Sequence, residues 1–62
     1  ITDQANVGIG QATFGTSSKF VLAIADGTAP TTSPTGCGQI YVEGGALKYR
    51  GSSGTITVLG VA

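Results

Sequence analysis

From residue 39 to residue 59 the chain reads Gln39-Ile-Tyr-Val-Glu-Gly-Gly-Ala-Leu-Lys-Tyr-Arg-Gly-Ser-Ser-Gly-Thr-Ile-Thr-Val-Leu59, alternating apolar and polar side chains across two glycine-bearing turns. Successive side chains on a strand point to opposite faces, so this alternation dictates strands with one apolar face. Gly44-Gly45 suits a two-residue hairpin loop, because both central residues of a type I′ turn need positive φ. That loop places Val42 opposite Leu47, Tyr41 opposite Lys48, Ile40 opposite Tyr49 and Gln39 opposite Arg50. With Gly51-Ser52-Ser53-Gly54 read as the second turn, Arg50 falls opposite Thr55, Tyr49 opposite Ile56 and Leu47 opposite Val58. The expected result is a three-stranded antiparallel meander. Ile40, Val42, Leu47, Tyr49, Ile56 and Val58 share its apolar face, and Gln39, Tyr41, Glu43, Lys48, Arg50, Thr55 and Thr57 share the other.

Little in the chain is available to cover that apolar face. With 62 residues there is room for one small domain, and domains of this size need a staple: disulfides, a metal or oligomerisation. A single cysteine, Cys37, rules out an intrachain disulfide, and the absence of histidine rules out a Cys/His zinc site. Self-association is the remaining staple. Lys19, Lys48 and Arg50 balance Asp3, Asp26 and Glu43, so there is no electrostatic footprint for nucleic acid or an anionic membrane. A neutral surface rich in Thr, Ser and Gly suits a repetitive extracellular or particle-borne structure. The longest apolar run, residues 20–25, is too short to cross a bilayer, and no charged-then-apolar signal segment opens the chain. The sequence does not begin with Met, so it is read as a fragment or processed piece.

Three stretches follow from composition. Residues 1–26 form an N-terminal arm containing Phe20-Val-Leu-Ala-Ile-Ala25, apolar on both parities; a strand buried on both faces is favoured because the run is short and rich in branched residues. Ser17 as an N-cap and Gly27 as a stop frame a short buried helix as the alternative. Val7 and Ile9 share one side of a segment whose glycines imply close backbone approach or bends. Residues 27–38, with Pro30, Pro34 and several glycines, read as an ordered surface linker long enough to run across a neighbouring subunit. Residues 39–62 hold the meander. The fold class is therefore all-β, a small meander with an extended N-terminal arm or strand.

No side-chain arrangement supports catalysis, and no cofactor is expected. Cys37 lies between glycines, but with no histidine as base it reads as a small, partly buried residue, or as a cross-link to a neighbour in an oxidising setting. Each carboxylate has an ordinary position: Asp26 before a turn glycine, Glu43 before the hairpin and Asp3 near a terminus. Gly8-Ile-Gly10 opens like a phosphate loop, yet position 13 is threonine and no βαβ unit surrounds it. Tyr41 beside Lys48 and Arg50 could form a platform for a sugar ring; the same trio is ordinary as a cross-strand contact.

The segments Asn6-Val-Gly-Ile-Gly10, Thr13-Phe-Gly-Thr-Ser17, Val21-Leu-Ala-Ile24, Gly27-Thr-Ala-Pro30 and the hairpin from Gln39 to Thr57 resemble the C-terminal region of bacteriophage fibre or tail-type structural proteins. The hairpin is the most specific part, and the Asn-Val-Gly-Ile-Gly element is similar to a short motif of many phage fibres and appendages. The resemblance implies a homotrimeric, intertwined β-rich shaft or tip, with each meander's apolar face buried against the other chains about a threefold axis. It also implies a location on the virion among other virion proteins, and a role in attachment to the host surface or in decorating the particle. The other readings are a small carbohydrate-binding module using Tyr41, Lys48 and Arg50, and a self-polymerising filament in which residues 1–26 donate a strand to the next subunit.

Overall fold

The computed structural model describes residues 4–62, so Asp3 lies outside the described residues. Five strands and no helix are found there: β1 (Val7–Ile9), β2 (Leu22–Ile24), β3 (Gln39–Glu43), β4 (Ala46–Arg50) and β5 (Ile56–Gly60). They form two sheets, a parallel pair β1-β2 and an antiparallel meander β3-β4-β5. The all-β expectation holds, and the run from 20 to 25 supplies a strand, not a helix. That strand is not buried on both faces, however: Leu22 is 60% exposed, with Ala23 and Ile24 only half-buried.

The first hairpin has the expected register throughout, from Gln39 opposite Arg50 to Glu43 opposite Ala46. Gly44 (φ 59°) and Gly45 (φ 80°) both occupy the left-handed region that the tight loop demands. Asp26 reaches this loop from outside the sheet, its carboxylate accepting the Gly45 N–H at 2.7 Å.

The second hairpin corrects the expected register by one residue. Arg50 pairs with Ile56, Tyr49 with Thr57 and Lys48 with Val58. The cause lies in the turn. Gly54 donates to the Gly51 carbonyl at 2.9 Å and Gly51 donates to the Thr55 carbonyl at 3.0 Å, so the loop proper is Ser52-Ser53-Gly54. With Gly54 at φ 89°, this is a type I turn followed by a left-handed glycine, a preferred three-residue hairpin connection. A one-residue slip moves a whole strand's side chains to the opposite face. Ile56 and Val58 therefore lie on the side of Lys48 and Arg50, not beside Ile40, Leu47 and Tyr49. An irregularity between Leu47 and Lys48 then brings Gly60 opposite Leu47.

In the N-terminal part, Val7 pairs with Leu22, Gly8 with Ala23 and Ile9 with Ile24. Parallel strands need a crossover of a dozen or so residues, and here it is irregular chain. Asn6, 3% exposed, ties its two ends together. The Asn6 amide donates to both the carbonyl and hydroxyl of Ser18 at 3.1 Å, and its oxygen accepts the Val21 N–H at 2.9 Å. The crossover folds back over Gly8: a Cβ there would collide with the Gln11 carbonyl and press on the Phe14 ring. One side of the pair is thereby covered, while Val7, Ile9 and Leu22 stay exposed on the other.

Among the described residues no apolar side chain is buried. The accessible surface is 4341 Å². A compact monomer of 6.1 kDa exposes about 3,700 Å². The radius of gyration is 13.2 Å, against about 10.6 Å for a compact domain of this length. The chain is folded by hydrogen bonds and turns around faces that remain open.

Two substitutions test this account. Asn6→Ala should cost about 1–3 kcal/mol, since it leaves the Val21 N–H and the Ser18 groups short of partners. Gly8→Ala should cost a similar amount by overpacking against backbone that cannot yield. Chemical denaturation should show both losses, and hydrogen exchange should place them at the amides of Val7 and Ala25, which bond to Val21 and Ile9.

Candidate functional site

The two sides of the meander face different environments. On the polar side, Tyr41 pairs with Lys48 and Arg50 lies two residues further along β4. The structure thus brings together the three residues expected to form a ligand platform. It also engages the Arg50 end of that platform from within the chain. The segment 26–33 bonds first to the edge of β3, where Gly27 donates to the Val42 carbonyl at 2.7 Å, and then passes beside Arg50. Arg50 Nε donates to Ser33 Oγ at 2.7 Å and its guanidinium also reaches the Pro30 carbonyl at 3.2 Å. Gln39 donates to the Thr32 carbonyl at 3.0 Å. From residue 27 to residue 33 the expected surface linker is ordered as a strap along its own sheet.

Lys48 is engaged as well. Its ammonium contacts a Glu43 carboxylate oxygen at 2.9 Å, across the diagonal of the first hairpin. This charge-assisted hydrogen bond, more than any longer-range attraction, raises the Lys48 pKa above the usual 10.5. Arg50 and Lys48 thus direct donors at the strap and at Glu43, while Tyr41 lies half-buried beside them.

The opposite side lacks such cover. Ile40 is 63% exposed, Leu47 and Tyr49 are exposed, and Val42 is half-buried. Tyr49 folds over Gly38 so closely that any side chain at position 38 would displace its ring. Of the six apolar residues expected on one face, four remain together here; Ile56 and Val58 lie half-exposed on the strap side.

Other groups able to do chemistry are dispersed. Cys37 is a free thiol and, contrary to the expected partial burial, it is exposed. Among the described residues no cluster of three His, Cys, Asp or Glu side chains could hold a metal. An open cleft of about 670 Å³ runs beside Asn6, Phe14, Ser17 and Lys19, with Ser17 in the left-handed region at φ 63°. The roles of Asn6 and Asp26 were not legible beforehand, because each acts through partners 12 to 19 residues away.

Comparison with protein-family models, with curated proteins and with solved structures finds no match for this chain.

Two measurements probe the strap face. Glu43→Gln should lower the Lys48 pKa toward its ordinary value in an NMR titration. Because the folded pKa lies above the unfolded one, the pair's contribution is present below pH 10.5 and fades as the pH rises through the folded pKa. Arg50→Gln should loosen the strap and cost about 1–3 kcal/mol, seen as faster amide exchange at Gly27 and Gly45 with the β3-β4 ladder retained.

Proposed function

We propose that the chain is a non-enzymatic structural module of a bacteriophage virion, a fibre or appendage piece that assembles as a homotrimer and carries contact with the host surface as a further role. The observation that carries the reading is the absence of any buried apolar side chain among the described residues, together with the open face of Ile40, Val42, Leu47 and Tyr49. Isolated soluble domains rarely leave such faces uncovered, and a contiguous apolar sheet surface marks an association site. Neighbouring copies supply the missing cover. The near absence of net charge favours this, since copies meet without repulsion. The likeness of the hairpin and of Asn6-Val-Gly-Ile-Gly10 to phage fibre segments supports the viral setting. Ile56 and Val58 remain candidates for the same assembly, from the other side of the sheet.

The rival sugar-binding reading relies on Tyr41, Lys48 and Arg50, and the strap and Glu43 already engage the charged groups of Arg50 and Lys48. It draws no support from that geometry.

Light scattering after size-exclusion chromatography over a dilution series should return a constant mass of three chains. A folded monomer throughout the series would overturn the proposal, and polydisperse high mass would replace the trimer with a filament. Leu47→Glu should weaken association at least about tenfold, because a carboxylate would be buried without a partner.

A further inference from the structure

Asp26-Gly27 is the one place in the sequence where glycine follows an aspartate or asparagine. Both residues are exposed and lie in irregular chain between β2 and β3. The Gly27 amide nitrogen has no side chain beside it to shield it, and glycine's backbone freedom lets that nitrogen approach the carboxyl carbon of the residue before. Asn6, the single asparagine, has neither property: it is 3% exposed and precedes the branched Val7.

The structure engages both reacting groups of this pair. Asp26 Oδ1 accepts the Gly45 N–H at 2.7 Å, which keeps the side chain on the first hairpin loop. The Gly27 N–H donates to the Val42 carbonyl at 2.7 Å, which ties the nitrogen to the edge of β3. For the nitrogen to attack, it must lose its proton and Asp26 Cγ must swing onto it, so both bonds have to open first. They lie at the start of the strap, in exposed irregular chain, where hydrogen bonds open locally without unfolding the sheet.

We infer that Asp26-Gly27 is a self-modification site, a spontaneous aspartate-to-isoaspartate isomerisation that these two hydrogen bonds slow. The Gly27 nitrogen bonds to Cγ of the protonated Asp26 carboxyl, the Cγ–OH bond breaks, and the hydroxyl leaves with the amide proton as water. A second water then opens the succinimide ring. When it attacks the Asp26 carbonyl carbon and breaks the bond from there to nitrogen, the main chain is left running through Cγ and the carboxylate sits on Cα. The water lost is regained, so the mass is unchanged and water is the only co-reactant. The main chain gains a methylene group and the carboxylate loses one from its reach, so the bonds to Gly45 and Val42 cannot both be remade. The strap then loses its anchor at the hairpin tip, while Arg50 still holds the Ser33 end.

The test incubates the full chain in native buffer and, in parallel, in guanidinium chloride. Isoaspartate is read by methyl transfer from an isoaspartyl methyltransferase and located by peptide mapping. It should accumulate at residue 26 in both, and about tenfold more slowly in the native chain, the factor expected from two hydrogen bonds of ordinary net strength. Arg50→Gln, by loosening the strap, should raise the native rate toward the denatured one. Gly27→Ala should suppress the product under both conditions, and the fold tolerates it, because an added Cβ there meets only the Val42 carbonyl at 3.8 Å. The isomerised chain, separated by chromatography, should exchange its Gly45 amide faster than fresh chain while the β3-β4 ladder stays protected. An absence of isoaspartate at residue 26 in guanidinium chloride, or equal accumulation in Gly27→Ala, would overturn the site. Equal rates in the native and denatured chains would overturn the role of the two hydrogen bonds, and unchanged Gly45 protection in the isomer would overturn the effect on the strap.

Discussion

The guanidinium of Arg50 determines how this chain divides its surfaces. By holding Ser33 and Pro30 beside the meander, it occupies the Arg50 end of one side of the sheet with the chain's own backbone. An arginine suits the task because its planar fork offers several donors in fixed directions, and three carbonyl and hydroxyl oxygens of an irregular segment need them. On the apolar side, the Tyr49 ring lies over Gly38. Asp26, two residues beyond β2, is anchored at the hairpin tip through the Gly45 N–H.

The fold is consequently held by directional bonds more than by a core. Asn6 replaces what a hydrophobic cluster would do for the crossover, with three hydrogen bonds from one buried side chain. Net hydrogen-bond contributions are modest, about 0.5–1.5 kcal/mol each, and cannot substitute for apolar burial in ordering a whole domain. The apolar residues that could supply that burial are present but sit on open faces. In the proposed assembly, covering those faces would add the burial that the single chain lacks.

Much of the meander was legible from residues alone. Gly44-Gly45 permits only a tight loop, so the β3-β4 register follows from a local rule and holds at all five pairs. The β5 register was not, because Gly51-Ser52-Ser53-Gly54 is compatible with loops of three or four residues that differ only in whether Thr55 closes the turn. The closing bond from Gly51 to Thr55 decides it, and with it the side on which Ile56 and Val58 lie. The candidate trio Tyr41, Lys48 and Arg50 was correctly placed on one face by alternation. Its occupation by the strap was invisible, since nothing local links Arg50 to Pro30 twenty positions earlier.

Alternation, turn glycines and the lack of staples determined by themselves that the chain is all-β, that its first hairpin has one register and that it lacks the means to bury an apolar face. These are consequences of backbone geometry and composition, which act over a few residues. Tertiary structure alone decided the parallel pairing of Val7–Ile9 with Leu22–Ile24, the burial of Asn6 and the path of the strap. Each of these depends on hydrogen bonds between groups distant in sequence, where many partners are chemically equivalent and only the folded path selects one.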